Sequence, residues 1–166
     1  MPKAVIVIVG ITGDLAKRYI LPSFYHLARH KKITDFSIIG IGTREITEKQ
    51  IMNNMKGFLA KKDAAVLKKM EANLTYLRGD VTELDTFEKL KELVDEKKGK
   101  GHNNLLFYLA TLPRFFVPIT DNIRKTKLDK EVDGWSRIVF EKPFGDDGRS
   151  ARELNKHVQK IYSEKQ

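Results

Sequence analysis

Apolar runs of strand length alternate with helix-length amphipathic segments along almost the whole of this 166-residue chain. Several runs are apolar on both faces, which is typical of parallel strands covered by helices on two sides. The pattern predicts strands at Ala4–Val9, Phe36–Ile41, Leu74–Leu77, Leu105–Leu109 and Arg137–Phe140. Because strands and helices alternate, the chain is expected to form one α/β domain over residues 1–166.

The segments between the strands predict helices, and a proline shapes the first of them. Pro22 is expected to kink or restart that helix, since proline lacks the N–H that a helix interior needs. The predicted helices are Asp14–His30, Thr47–Ala60, Asp63–Glu71, Glu83–Lys97, Pro113–Lys125 and Gly148–Ser163. The expected architecture is therefore a Rossmann-like, doubly wound parallel sheet with helices on both faces, whose ligands bind beyond the carboxyl ends of the strands.

Composition narrows the classes of protein to consider. The chain has no cysteine, which excludes disulfides, thiolate metal sites and a thiol nucleophile. No apolar stretch approaches the roughly 18 to 20 residues that cross a bilayer, and the first residues carry no signal-peptide pattern. We therefore expect a cytoplasmic protein with no membrane partner.

The net charge of +9 leaves several kinds of partner open. Such an excess suits nucleic acid, anionic lipid or a small anionic ligand. Acidic residues are interleaved with the lysines along the helix-like segments, which favours an ordinary solvated basic surface. Since the strand ends are apolar and exposed aromatic residues are not interleaved with the basic ones, we expect no nucleic-acid partner.

A glycine-rich turn follows the first predicted strand and leads into the first helix. Gly10 suits a tight bend and Gly13 a close backbone approach, and the amides from Thr12 to Leu15 are expected to donate to an anion. The turn has two glycines in a G-x-x-G frame instead of the usual G-x-G-x-x-G. It therefore indicates a phosphate site, with a glycine turn that binds nothing as the alternative.

The second predicted strand ends in Gly40-Ile41-Gly42-Thr43-Arg44-Glu45. An acidic residue directly at this end would bind ribose hydroxyls and favour NAD. Thr43 and Arg44 instead suit a ribose 2′-phosphate, and alternation along an extended chain turns Glu45 away from Arg44. The pattern favours NADP, leaving NAD possible, and the alternative for Arg44 is a surface residue in a loop.

The remaining strand ends offer further candidates, each with a structural alternative. Asp80 follows the third strand, where it could flank an adenine ring or simply begin the turn before the next helix. Small residues after the fourth strand, Ala110 and Thr111, permit backbone approach to a flat ring. Lys142 follows the fifth strand and could meet a phosphate or an alcohol oxygen, or pair with Glu141.

Three segments, GITGDLAKR, YLATLPRFF and RIVFEKPFGDD, closely resemble in order and spacing the coenzyme domain of the glucose-6-phosphate dehydrogenase family. That family oxidises C1 of glucose 6-phosphate to 6-phosphogluconolactone with NADP⁺, in some members NAD⁺, at the entry to the pentose phosphate pathway. The resemblance implies that Thr43 and Arg44 bind the 2′-phosphate and that Lys142, in a cis bond to Pro143, contacts both coenzyme and sugar. It further implies a pyrophosphate site at Gly10, Ile11, Thr12, Gly13, Asp14, Leu15, Ala16 and Lys17, Asp80 as a coenzyme contact, and the nicotinamide near Tyr108, Leu109, Ala110 and Thr111.

Two departures from that family shape the expected activity. The family's sugar-phosphate motif, R-I-D-H-Y-L-G-K-E, and the catalytic histidine of a larger α+β domain lie beyond the matched region. Tyr19 stands where the family has a third basic residue, and Thr43 occupies its arginine position. His26, His30, His102 and His157 are not expected in the cleft, so coenzyme binding without appreciable turnover is expected from this chain alone.

The expected partners follow from the same departures. A catalytic domain would complete the enzyme, either encoded separately or carried by a longer chain of which this sequence is a part. An apolar patch expected near the last helix would favour such a partner or a homo-oligomer. A non-catalytic NADP-binding regulatory subunit is the alternative function. A short-chain dehydrogenase would need Tyr-x-x-x-Lys, and none of the five tyrosines has a lysine four residues on.

Overall fold

All five predicted strands form one parallel sheet, in a computed structural model that describes residues 3–99, 101, 103–145 and 147–166. The strands are β1 (Ala4–Val9), β2 (Phe36–Gly42), β3 (Leu74–Arg78), β4 (Asn104–Leu109) and β5 (Ser136–Phe140). Their order across the sheet is β3-β2-β1-β4-β5. Val9 pairs with Ile41 on one side and with Leu109 on the other, so three strands end at the same edge of the sheet.

The described part of the chain has six α-helices, of which five connect the strands and the sixth follows β5. They are α1 (Leu21–Arg29), α2 (Glu48–Lys56), α3 (Ala64–Ala72), α4 (Leu84–Gly99), α5 (Phe116–Lys125) and α6 (Gly148–Val158). A π-helical segment, Ala16–Ile20, precedes α1, and a 3₁₀ turn, Pro113–Phe115, precedes α5. In the described part of the chain, none of these helices combines the length and apolarity that crossing a bilayer requires.

Helices pack on both faces of the sheet, which confirms the predicted α/β, doubly wound architecture. Val5, Val7 and Val9 of β1 point to one face, where they join the apolar side chains of α4, α5 and α6. Ile6 and Ile8 point to the other face and pack against α1, α2 and α3. A strand with both faces buried needs apolar side chains at every position, and this is why β1 reads as a continuous apolar run.

The first predicted helix differs from the expectation of a regular helix over 14–30. The N–H of Leu21 donates to the carbonyl of Ala16, five residues back, in the wider π-helical pattern. Pro22 then stands in the first turn of α1, where its missing N–H costs no intrahelical hydrogen bond. Pro22 therefore restarts the helix as predicted, and the π-helical segment supplies the transition.

Three other predicted helices differ from their expected bounds by more than two residues. The predicted helix over 47–60 ends at Lys56, and the one over 113–125 begins with the 3₁₀ turn. The last, predicted over 148–163, ends at Val158 because the chain then folds back against β5. There the N–H of Ile138 donates to the carbonyl of Gln166 at 2.8 Å, and Tyr162 is buried in the core.

The prediction of an exposed apolar patch near the last helix is wrong. Among the described residues, the large apolar side chains that are more than a third exposed include none from α6. Leu154 is buried and Val158 packs against the core, since residues 159–166 cover this helix. The exposed apolar side chains are Tyr19, Leu27, Phe58, Leu84, Leu112, Val117, Val132 and Val139.

Candidate functional site

A cleft of about 770 Å³ lies beyond the carboxyl ends of the strands. This is the position at which open parallel α/β sheets bind ligands, because loops from adjacent strands diverge there. Of the predicted site residues, eleven line the cleft, from the loops after all five strands: Gly10, Thr12, Gly13, Asp14, Leu15, Thr43, Arg44, Asp80, Ala110, Thr111 and Lys142. The sheet thus brings together candidates that lie far apart in the sequence.

The glycine turn fits tightly between β2 and β4. Gly10 has a φ of 88°, a conformation that favours glycine, and its N–H donates to the carbonyl of Ile41 at 2.9 Å. A Cβ atom on Gly10 would overlap the carbonyl oxygen of Ala110. The turn therefore brings its backbone into the cleft only because residue 10 has no side chain.

One of the expected amide donors is not available to a ligand. The N–H of Gly13 donates to the carbonyl of Gly10 at 2.9 Å and closes the turn, so the prediction of four free amides from Thr12 to Leu15 is corrected to three. Asp14 and Leu15 begin the helical segment, where first-turn amides have no intrahelical acceptor. Thr12, Asp14 and Leu15 all line the cleft.

The other predicted residues of this segment occupy different surroundings. Ile11 and Ala16 are buried in the core, so they could meet a ligand only through their backbone. Nζ of Lys17 lies 2.6 Å from Oδ1 of Asp14, and this hydrogen-bonded ammonium lowers the pKa of the Asp14 carboxyl. Since an unpaired carboxylate would repel a phosphate, the pairing favours an anion in the turn.

The loop after β2 is held from the neighbouring strand. The hydroxyl of Tyr76 donates to the carbonyl of Arg44 at 2.7 Å, and Nε of Arg78 donates to the carbonyl of Thr43 at 3.3 Å. Glu45 is turned to Arg78, with Oε2 3.1 Å from Nη1. Among the described residues Arg44 forms no ion pair, so its exposed guanidinium is available to an anion.

Asp80 begins the turn before α4, and it also lines the cleft. The turn and the cleft position, which were offered as alternatives, are therefore compatible. The carboxylate of Asp80 accepts hydrogen bonds from the N–H and the hydroxyl of Thr82, both at 2.8 Å. These hydrogen bonds lower the pKa of Asp80. The carboxylate therefore stays ionised and fixed at the end of β3.

The four residues expected near the nicotinamide point in different directions. Leu109 is buried in the core, whereas Ala110 and Thr111 line the cleft. The hydroxyl of Tyr108 donates a short hydrogen bond to the carboxylate of Glu141 on the opposite face of the sheet from Leu109. Burial first, and then this hydrogen bond, raise the pKa of Tyr108 to about 12.

Lys142 is exposed at the end of β5 and lines the cleft. Its peptide bond to Pro143 is cis, as the resemblance implied. Among the described residues it forms no ion pair, and Glu141 is held by Tyr108 instead. The ammonium of Lys142 is therefore available to a ligand.

Two residues that sequence reasoning missed also line the cleft, Arg114 and Phe115. The guanidinium of Arg114 stacks 4.9 Å from the centre of the Phe115 ring. The signal was present in the sequence, because Arg114 is a basic residue in the segment that follows a predicted strand, as Arg44 and Lys142 are. With Arg114, the described lining of the cleft has three cations, one each from the loops after β2, β4 and β5.

The described histidines lie outside the cleft. His26 and His30 lie at the end of α1, and Nε2 of His157 on α6 lies 3.1 Å from Oδ1 of Asp121 on α5. His102 lies outside the described residues. None of the three described histidines lines the cleft, as the sequence predicted.

The parallel sheet, the glycine turn at the end of β1 and the basic end of β2 together define a Rossmann-like dinucleotide-binding domain. A family model described as "Glucose-6-phosphate dehydrogenase, NAD binding domain" matches residues 7–166. This chain belongs to that family.

Individual relatives agree with the family match. Glucose-6-phosphate 1-dehydrogenase of Bacillus subtilis is 34% identical over 99% of this chain and 34% of its own length. A crystal structure of the enzyme from Mycobacterium avium, 33% identical, superposes with a TM-score of 0.83 over 98% of this chain and 35% of that one. A glucose-6-phosphate dehydrogenase solved with its substrate glucose 6-phosphate is 29% identical, with a TM-score of 0.88 over 98% of this chain and 35% of that one. The chain thus spans about a third of the length of the relatives it matches.

Proposed function

We propose that this chain binds NADP⁺ in the cleft and serves as the coenzyme-binding part of a glucose-6-phosphate 1-dehydrogenase. In the proposed reaction, C1 of glucose 6-phosphate loses a hydride to the coenzyme and its hydroxyl loses a proton, which yields 6-phosphogluconolactone. The observation that carries the proposal is the cleft itself, where the Gly10 turn lies against Ala110. Arg44, which has no ion-pair partner among the described residues, lies at the adjacent strand end.

The residues of the cleft fit a dinucleotide. A side chain at residue 10 would fill the place in which the glycine turn approaches Ala110, and the amides of Thr12, Asp14 and Leu15 are suited to a pyrophosphate. Thr43 and Arg44 are proposed to bind the ribose 2′-phosphate through a hydroxyl and a guanidinium. Ala110 and Thr111 leave room for a flat ring, and the nicotinamide, when bound, accepts the hydride.

Lys142 is proposed to contact both coenzyme and sugar phosphate. It is exposed at the mouth of the cleft, and a mobile ammonium can bind a phosphate or an alcohol oxygen as a point charge. Removal of Lys142 is therefore expected to weaken sugar-phosphate binding more than coenzyme binding.

The base that accepts the hydroxyl proton is proposed to lie outside the described residues of this cleft. Its three lining carboxylates are already engaged, Asp14 by Lys17, Asp80 by Thr82 and Glu141 by Tyr108. A general base must be free to reach the proton that it takes. We therefore assign the binding and orientation of the coenzyme to this chain. We assign the proton transfer to a further catalytic domain, for which the relatives have enough additional length.

Calorimetric titration with NADP⁺ and NAD⁺ tests coenzyme binding. Saturable binding that favours NADP⁺ is expected, and Arg44→Ala should weaken NADP⁺ binding by roughly tenfold or more, because a charge-assisted hydrogen bond is lost, while NAD⁺ binding changes little. Arg152→Ala, on the exposed surface of α6, is the matched control and should change neither. Equal losses for both coenzymes in Arg44→Ala would overturn the 2′-phosphate assignment.

Complementation tests the assignment to an enzyme. The chain is mixed with the part of the Bacillus subtilis relative that lies beyond the matched region, and NADPH formation from glucose 6-phosphate is followed by absorbance. Activity that appears only in the mixture, and that Lys142→Gln abolishes, is the expected result. Binding of NADP⁺ with no activity in the mixture would favour the non-catalytic regulatory subunit.

A further inference from the structure

A residue that does not line the cleft holds the loop that follows β2. Arg78, the last residue of β3, pairs across the sheet with Gly42 and reaches the loop after β2. Its Nε donates to the carbonyl of Thr43 at 3.3 Å, and its Nη1 lies 3.1 Å from Oε2 of Glu45. One guanidinium thus holds both neighbours of Arg44.

Glu45 is the residue whose position matters most for the choice of coenzyme. A free carboxylate at this strand end can accept hydrogen bonds from the ribose 2′- and 3′-hydroxyls, and it repels a 2′-phosphate. In this chain Glu45 follows Arg44 directly, and its side chain is 88% exposed, so burial does not prevent it from turning to the ribose. The described contact that restrains it is the ion pair with Arg78.

We propose that Arg78 is a positioning residue that sets the preference for NADP⁺ over NAD⁺, by holding the Glu45 carboxylate away from the ribose and by fixing the Thr43 carbonyl. This inference rests on the proposed coenzyme binding. An exposed ion pair alone contributes little to fold stability. The ion pair instead affects coenzyme binding, because the Glu45 carboxylate is either neutralised by Arg78 or presented to the adenosine ribose.

A double-mutant cycle tests the proposal with the full 166-residue chain. Affinities for NADP⁺ and NAD⁺ are measured for the unsubstituted chain, Arg78→Met, Glu45→Gln and the double variant. Arg78→Met should lower the NADP⁺/NAD⁺ preference by up to about fivefold, with weaker NADP⁺ binding and tighter NAD⁺ binding. Glu45→Gln in the Arg78→Met background should restore most of the preference, since the carboxylate that caused the loss is gone.

Two further variants separate this effect from a general disturbance of the loop. Arg78→Lys retains the charge but not the two-pronged contact, so an intermediate preference is expected. Arg152→Met on α6 is the control for the loss of an exposed arginine. Thermal unfolding of each variant checks that the fold is retained.

The outcomes distinguish the inference from the function on which it rests. An equal loss of affinity for both coenzymes in Arg78→Met, or no restored preference in the double variant, would overturn the role of Arg78. Neither result would count against NADP⁺ binding by the unsubstituted chain. If the unsubstituted chain bound neither coenzyme, both the proposed function and this inference would be overturned.

Discussion

The hydroxyl of Tyr76 donates a hydrogen bond of 2.7 Å to the backbone carbonyl of Arg44, although the two residues are 32 positions apart in the chain. β3 lies beside β2 in the sheet, so a side chain of β3 reaches the loop that follows β2. The contact fixes the backbone from which the proposed 2′-phosphate ligand projects.

Tyr76→Phe is expected to weaken NADP⁺ binding several-fold. The substitution keeps the ring but removes the donor, so the Arg44 backbone loses one restraint, worth about 1 kcal/mol for a neutral hydrogen bond. Calorimetry measures the affinity, and urea unfolding should show a change in stability of no more than about the same size. An unchanged NADP⁺ affinity would show that the loop needs no support from Tyr76.

Gly10→Ala is expected to destabilise the fold and abolish coenzyme binding. The added Cβ would meet the Ala110 carbonyl, and the φ of 88° strains any residue other than glycine, by about 1–3 kcal/mol. Gly57→Ala is the matched control, because Gly57 has a φ of −63° and a Cβ there would approach only the Asn54 carbonyl, at 3.9 Å. The control should unfold at the same or a slightly higher denaturant concentration.

Stability at alkaline pH is expected to depend on Tyr108. Its pKa is raised from an ordinary value near 10 to about 12, so the folded chain holds this proton more tightly than the unfolded chain does. The resulting stabilisation is fully present below pH 10 and is lost as the pH rises through about 12. In Tyr108→Phe, the fall of unfolding free energy over this window should be shallower, and an identical slope would contradict the assignment.

Two buried tyrosines should respond in opposite ways to replacement by phenylalanine. The hydroxyl of Tyr25 donates to the Lys61 carbonyl at 2.9 Å and accepts from the Asp63 N–H at 2.7 Å. Tyr25→Phe leaves both partners unpaired and should cost about 1–3 kcal/mol of unfolding free energy. The buried hydroxyl of Tyr162 has no hydrogen-bond partner among the described residues, so Tyr162→Phe should be neutral or stabilising by up to about 1 kcal/mol. Urea unfolding measures both.

Local pattern accounts for the parts of the fold that sequence reasoning predicted best. The first strand was predicted with the bounds that the structure has, Ala4–Val9, because both of its faces are buried and every position is apolar. The restart at Pro22 follows from the chemistry of one residue. The π-helical segment before it was missed.

The candidate site was predictable where a strand end carried its own chemistry. Arg44 and Lys142 could be singled out because each lies in the short segment that follows an apolar run, and both line the cleft. Arg114 carried the same signal and was overlooked. Arg78 carried none, because its significance comes from its contacts with Thr43 and Glu45, which lie 35 and 33 residues earlier in the chain.

The sequence by itself determined the class of fold, the glycine turn and the basic strand ends, because apolar periodicity and glycine chemistry act over a few neighbouring residues. Only the tertiary structure decided that β1 lies between β2 and β4, which places Gly10 between the Ile41 and Ala110 carbonyls. It also decided which side chains hold the loop of Arg44. Such contacts depend on strand order, which is settled by packing across the whole sheet and is not contained in the period of any one segment.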